Sequence, residues 1–332
     1  MIGCSREEHI RRSSKVLMVY YCISLFTEFP DPRRMNPLCL FVIAAALLGP
    51  TSLLAQPQVL ASIKPLQLIA SAITEGVSSP SLLIAANQSP HDVTLRPSDV
   101  RKLAEAELLL WVGPEMETYL TGIMARTAPQ ERTLQAASLP GIRLHETGAD
   151  SGHVHGENDG HLHDPHIWLD TGNALIIARH LAETLVAVDP QHRVRYEHNL
   201  QVFGDSIRQL EQRVKEHINA IPDPRYAVYH DGIQYFEKQF GLHHEFVMVP
   251  DHDIQPGVKH ILEMRQMVAE RQPVCVLEDI SASDTTISTV FRNHPIVRVR
   301  MDTLGDAVAP GPAGYATLID NLAEAIGHCL QE

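Results

Sequence analysis

No apolar run reaches the roughly 20 residues needed to cross a bilayer as a helix. The longest candidate, Leu38 to Leu48, stops at Gly49-Pro50. Basic residues are not in excess: 27 Lys and Arg face 40 Asp and Glu, for a formal net charge of −13. That balance argues against nucleic acid or an anionic membrane surface as the main partner. No His-Glu-x-x-His sequence and no closely spaced cysteine pair occur, so the usual short zinc motifs are missing. Large aromatics are scarce, with 8 Phe and 2 Trp against 19 His. The 332 residues are 44% hydrophobic, enough for a sizeable core, and the length suggests about two domains of roughly 150 residues. Histidine is the commonest metal ligand, so its abundance is the feature to be explained.

The N-terminus speaks to compartment. Arg33 and Arg34 precede the apolar run, and Thr51, Ser52 and Leu53-Leu54-Ala55 follow it. This is the pattern of a secretory signal peptide with cleavage near Ala55; a retained membrane anchor is the alternative. Residues 1–34 lie upstream of the apolar run, and of them only Arg33 and Arg34 fit a part of such a leader. After cleavage only Cys275 and Cys329 remain of the five cysteines. In an exported protein an even pair reads as one disulfide, with two buried free thiols as the other possibility.

Downstream, short apolar strands alternate with helical stretches. Strands are expected at 59–63, 81–85, 108–112, 226–229, 245–249, 274–277 and 296–299. Helices are expected at 66–73, 97–107, 115–127, 174–188, 235–240, 257–270 and 314–329. The alternation predicts an α/β fold with parallel-type sheets. Asp189-Pro190 reads as an N-cap and first helical residue, opening a proline-free helix over 191–218. At 1.5 Å per residue it would span about 42 Å, long enough to bridge two lobes, with Gly204 its weak point. The domain plan is thus an upstream extension and leader (1–55), an N-terminal lobe (57–188), a linking helix (189–220) and a C-terminal lobe (221–332).

Between Leu144 and His166 apolar periodicity disappears. His145, His153, His155, His161 and His163 lie there among Gly, Asp, Glu, Asn and Ser, forming a His-rich acidic loop over 145–163. It reads either as a solvated spacer or as a low-affinity, multivalent metal collector. Three other histidines share a structural context. His91 follows the 81–85 strand across a short loop, His166 precedes a helix, and His230 follows the 226–229 strand. In open α/β sheets ligands bind beyond the carboxyl ends of strands, where these imidazoles can converge on a zinc ion. Asp302, after the last strand, is the best-placed acid for a fourth position.

The ordered set of segments resembles the periplasmic zinc-binding components of ABC-type zinc uptake systems. The matching stretches are Ala61-Ser62-Ile63-Lys64-Pro65, Ser89-Pro90-His91-Asp92-Val93-Thr94-Leu95-Arg96-Pro97-Ser98-Asp99 and Leu110-Trp111-Val112-Gly113-Pro114-Glu115-Met116-Glu117. The His-rich insert, Asp164-Pro165-His166-Ile167-Trp168-Leu169-Asp170, Tyr229-His230-Asp231 and Asp302-Thr303-Leu304-Gly305 complete the series. The resemblance implies two similar βα lobes joined by one long rigid helix, with the metal between them. It places the metal histidines at His91, His166 and His230, and the disulfide at Cys275 and Cys329. Some relatives carry a Glu just before the first histidine, where this chain has Pro90. Asp302 matches the carboxylate position of other relatives and is the favoured fourth ligand, with water second.

The resulting expectation is a monomeric, non-enzymatic periplasmic protein. It captures Zn2+ and hands it to an ABC-transporter permease. Three imidazoles suit zinc better than manganese. A zinc-dependent hydrolase, and a manganese-binding or buffering relative, are the competing readings.

Overall fold

A computed structural model of the chain describes residues 57–127, 132–147, 163–249 and 256–331. The leader expected at 1–55 lies outside the described residues. Gln56–Glu332 form one compact unit.

The unit contains two four-stranded sheets. In the first, β1 (Val59–Ala61), β2 (Ser81–Leu82), β3 (Leu108–Trp111) and β4 (Thr133–Gln135) lie in the order β2-β1-β3-β4. In the second, β5 (Tyr226–His230), β6 (Val247–Val249), β7 (Cys275–Glu278) and β8 (Val297–Arg300) lie in the order β6-β5-β7-β8. Every strand pairing is parallel, and the two halves repeat one topology. The helices are α1 (Lys64–Ile73), α2 (Pro97–Glu105), α3 (Thr118–Thr127), α4 (Thr171–Val188), α5 (Arg193–Asn219), α6 (Gln234–Phe240), α7 (Val258–Arg271), α8 (Asp284–Val290) and α9 (Gly314–Gln331).

Side chains alternate across the central strands, because successive Cβ atoms point to opposite faces. Val59 and Ala61, Leu108 and Leu110, Tyr226 and Val228, and Cys275 and Leu277 all enter one inner core. Their neighbours fill separate outer cores, Leu60, Leu109 and Trp111 on one sheet and Ala227, Tyr229 and Val276 on the other. Strands buried on both faces read as continuous apolar runs, which made them visible in the sequence. The inner core also takes residues from α1, α4, α5 and α9, so it runs unbroken between the two sheets.

The 27-residue helix α5 lies along this core. Its buried residues Tyr196, Phe203, Ile207, Leu210, Val214 and Ile218 recur at helical spacing, and it packs against α1, α4 and α9. Gly204 sits on the buried side, facing Leu175 of α4, so close helix packing explains it. The N-terminal cap differs from expectation. Asp189 precedes a 3-10 turn, Pro190–His192, and gives no side-chain cap; its Oδ2 instead accepts the Tyr196 hydroxyl (2.8 Å) and meets His192 Nδ1 at 2.6 Å. Cys275 and Cys329 form a disulfide, with Cα atoms 5.6 Å apart, tying β7 to α9.

Two elements lack a sequence signal. β4 is a three-residue, half-buried edge strand. The β-branched run of α8 has poor helix propensity; packing of Ile287 and Val290 into an outer core and the Ser283 cap on Thr286 N stabilise it as a helix.

The turn ending β3 is closed from inside by Glu117. Its Oε2 accepts the N–H groups of Val112 and Gly113, each at 3.0 Å, while the residue is fully buried. Burial raises the Glu117 pKa from 4.5 to about 7, against the opposing pull of these hydrogen bonds and the nearby Ser62 hydroxyl. A carboxyl whose folded pKa is raised favours folding when protonated, and that contribution is lost as pH climbs from 4.5 through 7. Glu117→Gln cannot ionise. Its stability relative to wild type should therefore grow by about 3 kcal/mol between pH 4.5 and about pH 8, as read from urea unfolding curves.

Candidate metal centre

Three imidazoles, one from each half and one from the segment that precedes α4, come together. His230 is the last residue of β5, His166 directly precedes a 3-10 turn (Ile167–Leu169), and His91 lies on the loop between β2 and α2. One ligand atom of each lies within 4.8 Å of the other two. The ring centroids are 5.2, 5.5 and 5.9 Å apart. His166 and His230 are buried and His91 is half-buried, so two of the imidazoles lie in the interior and one is partly accessible.

The Nε2 atoms of His91 and His166 are 3.3 Å apart. Nitrogens at about 2.0–2.1 Å from a tetrahedral zinc are separated by about 3.3–3.4 Å. That pair is therefore spaced as the two ends of one ligand edge.

Asp164 orients His166. Its Oδ1 accepts the His166 backbone N–H at 2.9 Å and the ring Nδ1–H at 2.7 Å. With the proton on Nδ1, the lone pair of Nε2 faces the centre. Asp164 is itself held, its carbonyl accepting the Tyr235 hydroxyl at 2.8 Å and its N–H donating to His145 O at 2.8 Å. The next residues are equally fixed. Asp170 caps α4 through Asn173 N (2.9 Å) and accepts Arg143 Nη1 at 2.9 Å.

Gly232 permits the close approach of His166 and His230. A Cβ there would lie 3.2 Å from His230 Cδ2 and 3.5 Å from His166 Nε2. The surroundings are acidic. Asp231 has its carboxyl raised to about 6, chiefly by burial, with His244 opposing and Asp164 and Glu237 reinforcing the rise. Glu237 pairs with buried His244 at 2.9 Å and accepts the Tyr226 hydroxyl at 2.5 Å.

Among the described residues the set that could hold a metal is His91, His166 and His230, and Asp302 is not part of it. The Asp302 carboxylate turns into its own loop. Oδ1 accepts Leu304 N at 3.2 Å and Gly305 N at 2.6 Å, and Oδ2 accepts Ala307 N at 3.2 Å. Of the His-rich loop, His153, His155 and His161 lie outside the described residues. The ends of the loop are held together. Glu146 and His163 form an isolated antiparallel bridge, and His145 stacks at a tilt on Tyr235, with centroids 4.6 Å apart. Burial, with Lys238, lowers the His145 pKa. His163 lines a separate cavity of about 170 Å³ together with Glu115 and Asp164.

Sequence inspection had assigned no role to Asp164, Trp168 or Gly232. For Asp164 a signal existed: an Asp two residues before a histidine can fold back onto its backbone N–H. Trp168 and Gly232 carry no comparable local mark.

The family described as zinc-uptake complex component A, periplasmic, matches residues 59–329. The high-affinity zinc uptake system protein ZnuA of Yersinia pestis is 30% identical over 305 residues, which cover 87% of this chain and 96% of that protein. The protein of the same name from Paracoccus denitrificans is 28% identical over 323 residues, covering 87% and 97%. Among solved structures, a crystal structure of ZnuA aligns with a TM-score of 0.71 at 20% identity, covering 83% of this chain and 100% of that one. The periplasmic zinc-binding protein TroA from Treponema pallidum aligns with 0.70 at 16% identity, covering 84% and 100%. The manganese-bound protein FpvC from Pseudomonas aeruginosa gives 0.68 at 17% identity, covering 83% and 99%. These structural likenesses show the fold, two sheet-and-helix halves with a long central helix.

Two substitutions test the geometry without touching an imidazole. Asp164→Asn should weaken binding of zinc, used as a probe ion, by about 10- to 100-fold. Gly232→Ala should weaken it too, by pressing a methyl group against His230 and toward His166 Nε2. Chelator-competition titration reads both. Unchanged affinity in both variants would contradict the geometry described.

Proposed function

We propose, from the premise that this chain belongs to the periplasmic zinc-uptake complex component A family, that it captures zinc in the cleft between its sheets and delivers it to an ABC-transporter permease. The observation that carries this reading is the convergence of one ring nitrogen from each of three imidazoles, all within 4.8 Å of one another, two of the rings buried and one of these aimed by a buried carboxylate. The ligands are His91, His166 and His230, with water in the fourth position. Neutral imidazole is a borderline donor that suits zinc better than manganese, which prefers oxygen-rich sets.

The family is one of solute-binding transport components, not an enzyme class, and we assign this chain no catalytic role. A hydrolase would need a general base beside the bound water, whereas Asp164 is committed to the far side of His166. The working form is a monomer, made with a cleaved leader ending near Ala55 and acting in the periplasm, where its relatives act. No helix among the described residues is long and apolar enough to cross a membrane. The functional divisions are the lobes at 57–188 and 221–332 and the linking helix at 189–220. His145, His153, His155, His161 and His163 serve as an auxiliary, weaker collector, and because only neutral imidazole binds a metal that capacity fades at acid pH.

Anaerobic titration of the apo protein with zinc and with manganese tests the assignment. Zinc should bind the tighter, and His91→Ala, His166→Ala and His230→Ala should each lose more zinc affinity than Asp164→Asn. Tight manganese binding with weak zinc binding would overturn the choice of metal. Wild-type affinity in all three alanine variants would overturn the site.

A further inference from the structure

Asp302 lies immediately beyond β8, with its carboxylate spent on three backbone N–H groups of the turn that follows. Gly305 in that turn adopts φ +76° and its Cα faces Leu68 of α1; a Cβ there would lie 3.1 Å from Leu68 Cδ1. The closed turn thus presses on a helix of the other half. One carbonyl in it points elsewhere: Thr303 O accepts the indole Nε1–H of Trp168 at 2.9 Å.

Trp168 is fully buried, and its ring stands edge-on to the His166 imidazole, with centroids 5.3 Å apart. The Trp168 backbone is held separately, its carbonyl accepting the Tyr315 hydroxyl at 2.7 Å. The indole therefore has one polar anchor, the Thr303 carbonyl, and that carbonyl belongs to the turn Asp302 closes.

We infer that Asp302 is a positioning residue and not a metal ligand: by closing the 302–307 turn it fixes the Thr303 carbonyl, which orients Trp168, which in turn sets the pose of His166. The inference rests on reading His91, His166 and His230 as the metal site. A ligating carboxylate would have to point into the cleft and release its turn. The donors it now satisfies would then be left without partners, at about 1–3 kcal/mol for each one that is buried. The cleft is thereby left with imidazole ligands alone, the set that disfavours manganese.

The test uses the full exported protein carrying Trp111→Phe, which leaves Trp168 as the one tryptophan. Asp302→Asn, Asp302→Ala and Trp168→Phe are compared by zinc competition titration. Metal-free Trp168 emission is recorded for the two Asp302 variants. The amide oxygen of Asn still accepts the Leu304 and Gly305 N–H groups but is a poor zinc ligand. Asp302→Asn should therefore keep zinc affinity within about threefold and leave the emission unchanged. Asp302→Ala should shift the emission in the absence of metal and weaken zinc by about tenfold. Trp168→Phe should weaken zinc similarly, and adding Asp302→Ala to it should cost little more, because the two act in series.

If Asp302→Asn weakens zinc as much as Asp302→Ala while metal-free emission stays at its wild-type value, Asp302 is a ligand and the inference falls, with the three-histidine site intact. Wild-type affinity and emission in Asp302→Ala would overturn it as well. Should Asp302→Ala fail to fold, Asp302→Asn and Trp168→Phe decide alone: a silent Asn with a weakened Phe supports the chain of contacts, and a weakened Asn refutes it. A parent protein that bound no zinc would instead sink the metal-site reading. The emission shift in Asp302→Ala would then still decide whether the turn positions Trp168.

Discussion

The apolar core shared by the inner faces of both sheets is the constraint from which the rest of the molecule follows. Each central strand sends alternate residues into it, and α1, α4, α5 and α9 complete it. Two halves joined only by a tether could swing apart at the cost of a polar contact or two. Here a wide opening would expose close-packed aliphatic and aromatic side chains, and each large one costs about 1.5–3 kcal/mol to return to water. The Cys275–Cys329 disulfide adds a covalent tie within the same core. The halves therefore cannot part widely without breaking this core.

That constraint gives the segment Asp164 to Thr171 its importance. It belongs to the N-terminal half and is gripped by side chains and a carbonyl of the C-terminal one. Tyr235 holds Asp164, Thr303 and Tyr315 hold Trp168, and Gln239 holds Thr171 N at 3.0 Å. None of these bonds is unusual alone. Together they immobilise His166 with its protonated nitrogen turned away from the centre, and preorganisation of this kind lowers the ordering cost of binding. His230 is fixed differently, as the last residue of a fully buried strand.

Much of the fold was legible because its strands are short apolar runs and its linking helix is a long amphipathic one. Where burial on both faces dictates composition, as in Leu108 to Trp111, local sequence is enough. It was not enough for β4 or α8, whose residues take their conformation from neighbours distant in the chain. The same division applies to the site. His91, His166 and His230 stood out by their place after strands and before helices. Of their supports, Asp164 carried only the local mark of an Asp two residues before a histidine, whereas Trp168 and Gly232 acquire roles only through tertiary contacts, as in the bond from Trp168 to Thr303, 135 residues away in sequence. Asp302 shows the converse. Its position after the last strand invited a ligand role, but a side chain that can satisfy nearby backbone N–H groups does so when the turn allows it.

By itself the sequence determined the repeating βα pattern, the long central helix, the acidic character of the chain and the type of donor available to a metal, because composition and periodicity act locally. Only the tertiary structure decided which donors converge, at what spacing, that His166 turns its Nδ1 to Asp164, and that the Asp302 carboxylate serves its own turn. Those outcomes depend on distances between residues from separate strands and loops, and such distances exist only once the shared core has closed.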